Sequence, residues 1–520
     1  MPLTAKDLFS EAGSKGVANN IAERLSQEII IALIGPVGSG VSTSAGIIKS
    51  ILGDEFDYKV CDIIKPSDII YREAHRVGVT NISTSPLDAY VQEMQDAGNK
   101  LREKFGNNYL AEKVVEQIYK FRKENNGYNA DGVPLPGRRA YIIDSIKNPE
   151  ELSLLRQIYG EIVCVFGVFA PDELRVKRLK DNGAEDGSIQ KIVDRDQNEI
   201  MTFGQKTRKI FVDSDFFICN DRKIDELRTK IKRYLDIVFD AAIHTPTREE
   251  SAMYEAGAAA ANSACMSRQV GAAIISSGGE LISVGWNDVP RFKGGLYCED
   301  DQYIWDENSS AIIDKDNRCF KWGGNICHNE TRRIDIINKI SSKISQSGIL
   351  KKGKNAEDVI SLINEGTGID SLIEFSRSIH AEMEAILSVA REGRHSLVGA
   401  TLYTKTYPCH NCARHIVAAG IGTVIYIEPY KKSLAIALHS DAVTENPEDK
   451  TKVVFKQYDG VAPRHYLRLF KIQTERKMSG KFAKRSPKSS IPVFREPLDS
   501  RTEYEAKVIA DLSDKEQTPF

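Results

Sequence analysis

The chain lacks a long hydrophobic run, an excess of charge of one sign and an export signal. No stretch of the sequence approaches the roughly 18 consecutive apolar residues that a membrane helix needs, and the N-terminus has no basic-then-apolar signal pattern. The 71 Lys and Arg residues nearly balance the 73 Asp and Glu residues, for a formal net charge of −2. This balance argues against a protein that grips nucleic acid or acidic lipid over a broad surface. We therefore expect a cytoplasmic protein that makes no contact with a membrane.

Cysteine is also scarce, at nine residues in 520. Without an export signal, these cysteines are expected to be thiols or metal ligands and not a disulfide framework. Those in apolar runs, Cys61, Cys164 and Cys219, are expected to be small core residues. The length exceeds what one compact core supports and predicts roughly two to four domains.

The pattern of apolar runs divides the chain into alternating regions. Strand-like runs alternate with helical segments up to about residue 240, which predicts a mostly parallel sheet. A capping box formed by Thr247 and Glu250 marks the start of a second alternating region. We predict an N-terminal extension at 1–26, a first domain at 27–240, a second domain at 245–470 with an insertion at about 290–375, and a polar, solvated extension at 471–520.

The most informative residues are His380-Ala381-Glu382 and, further on, Pro408-Cys409-His410-Asn411-Cys412. One imidazole and two thiolates form a three-ligand zinc set, which leaves the fourth position of a catalytic zinc for water. Zinc lowers the pKa of that water, and a carboxylate such as Glu382 moves protons without binding the metal. The same signature is typical of zinc deaminases that act on cytosine or adenine. The alternatives are a structural zinc knot, which normally has four protein ligands, and a redox Cys-x-x-Cys motif, which does not need His-x-Glu.

Together with the zinc motif, Ser267–Ala272, Gly285–Asp288 and Gly399–Tyr403 make residues 247–430 resemble the deoxycytidylate deaminase branch of the cytidine deaminase superfamily. The resemblance implies an α/β/α sandwich, a deoxyribose contact at Asn287 and a phosphate contact near Arg268. It also implies a homo-oligomer, because deaminase pockets are often completed by neighbouring subunits. The family often has Asn two residues after the catalytic glutamate, where this chain has Glu384.

The sequence preceding this region resembles P-loop nucleotide kinases over about residues 27–240. Strand Ile29–Ile34 leads into Gly35–Ser42, which fits the phosphate-loop pattern except that Val41 replaces its lysine. Gly35, Gly38, Gly40 and Ser42 are the candidate nucleotide-binding residues, Asp144 is a candidate metal-associated acid, and 191–204 is a candidate lid. Without the lysine, binding or sensing a nucleotide is favoured over kinase turnover. The alternative is that the glycines only form a tight turn and Asp144 only caps the next segment.

A second metal site is one interpretation of the insertion. Cys298, Cys319, Cys327 and His328 cluster there and have the chemistry of four structural zinc ligands. However, the adjacent Cys327 and His328 lack the familiar paired spacing. The alternative is unpaired thiols in an insert that gates nucleotides or makes oligomer contacts.

Taken whole, the chain resembles bacterial anti-phage dCTP deaminases. The resemblance implies hydrolytic deamination of dCTP, and of dCMP, to deoxyuridine nucleotides, with Zn²⁺ as cofactor and depletion of the dCTP pool during infection. It leaves open a regulatory nucleotide at the phosphate loop and a repressor made of RNA or protein. Two alternatives remain: a deaminase acting on cytosine or adenine in nucleic acid, and a non-enzymatic nucleotide sensor whose deaminase fold only assembles oligomers.

Overall fold

The computed structural model describes residues 24–197, 204–301, 303–364, 367–369, 372–430, 433–483 and 485–517. The predicted N-terminal extension therefore lies almost entirely outside the described residues. The chain divides into two compact units. Unit 1 comprises residues 1–245, 459–461 and 467–520, and unit 2 comprises residues 246–458 and 462–466.

The helices and strands are numbered in chain order. Up to residue 245 they are β1 (Ile29–Ile34), α1 (Val41–Asp54), β2 (Lys59–Val60), α2 (Pro66–Glu73), α3 (Leu87–Phe105), α4 (Tyr109–Glu124), β3 (Arg139–Asp144), α5 (Pro149–Tyr159), β4 (Val163–Phe169), α6 (Asp172–Asp181), α7 (Asp186–Gln197), α8 (Thr207–Phe211), β5 (Phe216–Cys219) and α9 (Ile224–Val238). From residue 246 to 458 they are α10 (Arg248–Ala260), β6 (Gly271–Ile275), β7 (Leu281–Trp286), β8 (Tyr303–Asp306), β9 (Ala311–Asp314), α11 (His328–Gln346), α12 (Ala356–Asn364), α13 (Ala381–Glu392), β10 (Thr401–Thr406), α14 (His410–Ala418), β11 (Thr423–Glu428), α15 (Ala435–Leu438), β12 (Val443–Thr444) and β13 (Val453–Gln457). The remainder are β14 (Gly460–Val461), α16 (Tyr466–Leu469), β15 (Lys477–Met478), β16 (Lys481–Phe482) and α17 (Leu498–Gln517).

Unit 1 is built on a six-stranded sheet in the order β14-β5-β4-β1-β3-β2. All its neighbouring strands are parallel except β14, which pairs antiparallel with β5. Every residue of β1 is buried, as expected of a central parallel strand that is covered on both faces. Side chains of β1, β4, α1 and α9 share the main hydrophobic core. The loop at residues 35–40 therefore connects the carboxyl end of β1 to the N-terminus of α1.

The predicted solvated extension at 471–520 is wrong for its second half, where α17 packs against α4. Leu498, Glu505 and Leu512 of α17 are buried. Glu505 forms a buried ion pair with Arg122, and the same guanidinium donates to Glu28 at 2.7 Å. A polar composition suggested solvent exposure, but the acidic side chain at 505 is buried because it meets a buried arginine of α4.

Unit 2 is built on a six-stranded sheet in the order β12-β13-β11-β10-β6-β7. Strands β12, β13, β11 and β10 are parallel, whereas β6 runs antiparallel to both β10 and β7. The capping box is present at the start of α10, where Thr247 accepts from the backbone N–H of Glu250 and the Glu250 side chain accepts in return. The insertion adds a β8–β9 hairpin and the α11–α12 helix pair, which packs around Ile337, Val359 and Ile363. Over the described residues, no helix combines the length and the hydropathy that crossing a bilayer requires.

Candidate metal centre

The metal-binding motif lies at the N-termini of two neighbouring helices of unit 2. His380 is the N-cap residue of α13, and Cys409 is the N-cap residue of α14, which follows β10. The backbone N–H of Cys412 donates to the Cys409 sulfur at 3.5 Å. Because helix N-termini carry unpaired N–H groups and positive partial charge, they stabilise thiolates there.

The three predicted ligands come together in the structure. His380 Nδ1 lies 3.3 Å from Cys412 Sγ and 3.4 Å from Cys409 Sγ. A tetrahedral zinc ion with bonds of about 2.0–2.3 Å holds its ligand atoms roughly 3.5 Å apart. The two nitrogen–sulfur separations match that spacing, and all three ligand atoms lie within 4.8 Å of one another, so the group fits a zinc ion. His380, Cys409 and Cys412 therefore form the zinc-binding motif.

The acid–base properties of Cys409 favour metal binding, whereas the raised pKa values of His380 and Cys412 mean that each of these two gives up a proton when zinc binds. A hydrogen bond from Cys412, helped by the nearby His380, lowers the pKa of the Cys409 thiol to about 4. Burial disfavours a charged His380, but its hydrogen bond to Cys409 and the charge of that sulfur outweigh burial and raise the pKa of the imidazole to about 9. Cys409 is therefore a thiolate near neutral pH, which is the form that binds zinc.

Glu382 lies beside the ligands and is almost completely buried, with 4% of its surface exposed. The Cys412 thiol donates to its Oε2 atom at 3.5 Å. Burial raises the pKa of the Glu382 carboxyl above its ordinary value, although the charge of His380 opposes the shift. A carboxyl with a raised pKa exchanges protons more readily near neutral pH than an exposed one.

Glu384 occupies the position where the resembling family often has asparagine. It is buried, and its Oε1 atom accepts a hydrogen bond from Arg391 at 2.7 Å, within α13 itself. Glu384 therefore has a partner of its own on the helix. Its negative charge is matched by an arginine seven residues later, so burial of the carboxylate is compensated.

Asn287 and Arg268 lie at the end of β7 and in the loop before β6. The Asn287 side chain accepts from the N–H of Val270 at 2.7 Å and donates to the carbonyl of Arg268 at 2.8 Å. The Arg268 guanidinium is half exposed and lies 3.3 Å from Glu428. In this structure Asn287 thus braces the loop that carries Arg268, and the substrate contacts expected of both residues stay predictions.

Sequence reasoning missed the neighbour of Asn287. The carboxylate of Asp288 is buried and accepts from the backbone N–H groups of Ala264 and Val289, each at 2.8 Å. Burial raises the pKa of the Asp288 carboxyl. The available signal was a polar Asn-Asp pair placed directly after an apolar strand, since such residues often fix the loop that follows.

The structure does not assemble the second metal site that the insertion suggested. Within the described part of the chain, which includes all four candidates, His380, Cys409 and Cys412 make the one group of three or more ligand-type residues close enough to share an ion. The Cys298 thiol instead donates to Asp301 at 3.4 Å, and the His328 ring packs 5.5 Å from that of Trp322. Cys327 lies near Ser267, at 3.7 Å between Oγ and Sγ. Cys319 is close enough to Cys327 for the two thiols to interact electrostatically, but the four candidates do not form one ligand group.

The phosphate-loop residues of unit 1 adopt a tight loop before α1. Gly38 and Gly40 have φ angles of +81° and +88°, a conformation that side chains disfavour. The Ser42 hydroxyl donates to Asp144 at 2.6 Å.

The predicted lid at 191–204 is described only up to residue 197 and again at 204, so its middle lies outside the described residues. Lys147, which the sequence did not single out, and Asp196, which lies within the predicted lid, both contact the loop.

The site of unit 2 defines the class of the protein as a zinc-dependent deaminase. The family model for the cytidine and deoxycytidylate deaminase zinc-binding region matches residues 246–428. The deoxycytidylate deaminase of Enterobacteria phage T2 is 31% identical over 172 residues, which is 33% of this chain and 74% of the phage protein. That of Enterobacteria phage T4 is 31% identical over 176 residues, covering 33% of this chain and 72% of the phage protein. The chain belongs to the cytidine and deoxycytidylate deaminase family.

A different relative matches the N-terminal part of the chain. The UPF0200 protein of Thermococcus onnurineus (strain NA1) is 22% identical over 211 residues, which is 40% of this chain and 97% of that protein. Its name states no activity. The fold class predicted from the sequence is confirmed at the level of two α/β units, each built on a six-stranded sheet, of which the second is of the cytidine deaminase kind.

Proposed function

We propose that the chain hydrolytically deaminates free deoxycytidine nucleotides, dCTP and also dCMP, to deoxyuridine nucleotides. One observation carries the proposal: the buried Glu382 carboxyl lies 3.5 Å from the ligand Cys412, in the first turn of the helix that His380 caps. This arrangement holds the Glu382 carboxyl, a group that can carry protons, next to the metal site without using it as a metal ligand. The names of the phage relatives point to a deoxycytidine nucleotide as the substrate class to test.

The chemistry follows from the three ligands and Glu382. Zinc, when bound, would lower the pKa of a water molecule, so that hydroxide is available near neutral pH. Glu382 accepts a proton from the attacking water and delivers it to N3 of the cytosine ring, while the water oxygen bonds to C4, which becomes tetrahedral. Glu382 then transfers the second proton of that water to the amine, and the C4–N bond breaks. Water and the cytosine nucleotide give the uracil nucleotide and ammonia, with no redox step.

Charge supports a free nucleotide over a nucleic acid. The formal net charge is −2, whereas a deaminase of single-stranded nucleic acid usually needs a basic groove that tracks the backbone. The half-exposed Arg268, on the loop braced by Asn287, is the candidate contact for a substrate phosphate. Its present partner Glu428 is exchangeable, because an exposed ion pair contributes only about 0–1 kcal/mol.

The test is to incubate the zinc-loaded protein with dCTP, dCMP and a cytosine-containing oligonucleotide, and to measure uracil products and ammonia. We expect turnover of the nucleotides, reduced by about 100-fold or more in Glu382→Gln because general acid–base catalysis is lost. Glu392→Gln is the matched control, since Glu392 is exposed on the same helix. Undiminished turnover in Glu382→Gln would refute the mechanism. Activity confined to the oligonucleotide would instead identify a nucleic-acid deaminase.

We further propose that this activity depletes dCTP during phage infection. The support is the resemblance of the two-unit chain to anti-phage dCTP deaminases. Deoxynucleotide pools measured in infected cells that express either the wild type or Glu382→Gln test the role. The dCTP pool should fall and phage yield should drop only with the wild type; equal pools in the two strains would contradict the proposal.

A further inference from the structure

The phosphate-type loop of unit 1 is held by cations although it lacks its own lysine. Val41, at the lysine position, is buried in the main core. Lys147 instead donates to the carbonyl of Gly35 at 2.8 Å, and Arg175 donates to the carbonyl of Val37 at 3.0 Å. Arg178 reaches the carbonyls of Gly38 and Ser39 at 3.3 and 3.4 Å. Positive charge therefore lies on side chains that surround the loop and not at residue 41.

A carboxylate from α7 already bonds to this loop. One oxygen of Asp196 accepts from the backbone N–H of Val37 at 2.9 Å, and the other lies 2.7 Å from the Lys147 ammonium. Asp196 is 2% exposed. A backbone N–H of a glycine-rich loop and an ammonium group are the donors that such loops offer to phosphate oxygens. Asp196 therefore binds donors that a phosphate would use.

Two further hydrogen-bond donors near the loop lack an acceptor within the described part of the chain. The hydroxyl of Ser39 and the Nη2 atom of Arg175 are buried and have no hydrogen-bond partner among the residues that the structure describes. Ser39 is fully buried and Arg175 is 3% exposed. Within the same described part of the chain, Arg178 donates only to carbonyl oxygens, of Gly38, Ser39 and Asn220. Buried unsatisfied donors are costly and rare, and here they lie at a loop whose geometry suits an anion.

We propose that residues 35–42 bind the polyphosphate of a nucleotide, that Lys147 and Arg178 supply the charge that Val41 lacks, and that Asp196 occupies part of this site until the phosphate displaces it. The site belongs to unit 1 and does not depend on the proposed deaminase function. The bound anion and Asp196 compete for Val37 N–H and Lys147. Occupancy of the site is therefore coupled to the position of α7.

The packing of α7 makes such a displacement feasible. Ile189 and Val193 of α7 form a small cluster with Leu179 and Ala184, against which Val37 of the loop packs. This cluster is separate from the main core of unit 1. A shift of α7 would therefore disturb this satellite cluster and the Arg195–Asp96 ion pair between α7 and α3, and leave the central sheet intact. Through Val37 and Asp196, α7 contacts the loop by both an apolar and a charged group.

The test measures equilibrium binding of Mg²⁺–ATP and of inorganic triphosphate, which has no base, to the full chain. Neither probe contains cytosine, so a failure here is distinguishable from a failure of the deaminase proposal. In Asp196→Asn the competing charge is absent, and affinity for both probes should rise about tenfold because a charged hydrogen bond has been weakened. Asp186→Asn is the matched control: it removes an acid from the same helix whose partner is Lys180.

Adding Lys147→Met to Asp196→Asn should reverse the gain in affinity. The substitution of Lys147 is made in the Asp196→Asn protein because Lys147→Met alone would leave the buried Asp196 carboxylate without its ammonium partner. Circular dichroism confirms that each variant is folded. Unchanged affinity in Asp196→Asn would overturn the competition, and unchanged affinity on removing Lys147 would overturn its role. Absence of binding by both the wild type and a folded Asp196→Asn protein would overturn the site.

Hydrogen exchange of the wild-type protein gives an independent readout if Asp196→Asn does not fold. On addition of inorganic triphosphate, amides of the loop at 36–42 should exchange more slowly because they bind the anion. Amides of α7 should exchange faster because Asp196 has lost its contacts. Slower exchange in both segments would mean that the anion binds without displacing α7 and would overturn the proposal.

Discussion

Gly285 lies against Ala385 so closely that a Cβ atom on the glycine would be 2.5 Å from the backbone nitrogen of Ala385. It would be equally close to the carbonyl oxygen of Ala381. Gly285 belongs to β7, and the two alanines belong to the first turns of α13, which carry the catalytic candidate Glu382. Strand and helix backbones are thus in direct contact beneath the metal centre.

Gly285→Ala should therefore displace α13 from β7. We expect a loss of about 1–3 kcal/mol in the free energy of unfolding, typical of overpacking, together with reduced zinc content. Thermal unfolding and metal analysis measure the two effects. Gly278→Ala is the control, because a Cβ atom there would be no closer than 3.5 Å to its nearest neighbour, the Ser276 hydroxyl. Equal behaviour of the two variants would show that the close approach is unimportant.

Gly40 of the phosphate-type loop and Gly46 of the helix that follows it should respond oppositely to alanine. Gly40 has a φ of +88°, and a Cβ atom there would overlap the Asn220 amide, so Gly40→Ala should destabilise unit 1 by about 1–2 kcal/mol or more. Gly46 lies inside α1 with open space around it, so Gly46→Ala should stabilise by about 0.5–1 kcal/mol. Chemical denaturation of both variants checks the signs. Destabilisation by Gly46→Ala would contradict the helix at this position.

The buried acid of α17 should be essential for the stability of unit 1. Removing Glu505 leaves the Arg122 guanidinium with Glu28 alone, and loss of one partner of a buried ion pair costs about 3–5 kcal/mol. Glu505→Ala should lower the unfolding temperature accordingly, whereas Glu503→Ala, at an exposed position of the same helix, should not. A similar unfolding temperature for both variants would mean that α17 does not pack on α4 in solution.

Zinc should depend on the thiols of α14. Cys412→Ala removes a ligand, and we expect it to contain one zinc per chain fewer than the wild type. Cys219→Ser, in β5 of the other unit, should keep the wild-type content. Metal analysis by mass spectrometry measures both proteins. Wild-type zinc content in a folded Cys412→Ala protein would rule out this metal centre. Zinc that remains bound to Cys412→Ala would lie at another site in the chain.

Local sequence patterns predicted the features that neighbouring residues determine. Strand Ile29–Ile34 has its predicted bounds because a fully apolar run forms a central parallel strand, and the Thr247 capping box joins residues only three positions apart. The zinc ligands were predictable because His-x-Glu and Cys-x-x-Cys each lie within one helical turn. Prediction failed where the partner is distant: Glu505 is buried by Arg122, which lies 383 positions earlier. The contact of Asp196 with Val37 likewise joins segments whose pairing no local pattern reveals.

The division of unit 1 has a consequence for how the protein is made. Strand β14 and helix α17 belong to unit 1, but they follow all six sheet strands of unit 2 in the sequence. The chain up to residue 245 therefore leaves the ribosome with one sheet edge open and with Arg122 still lacking Glu505. The main segment of unit 2, residues 246–458, emerges next and already contains all six strands of its sheet. The deaminase unit is thus free to fold during translation, whereas unit 1, which is synthesised first, is the last to be completed.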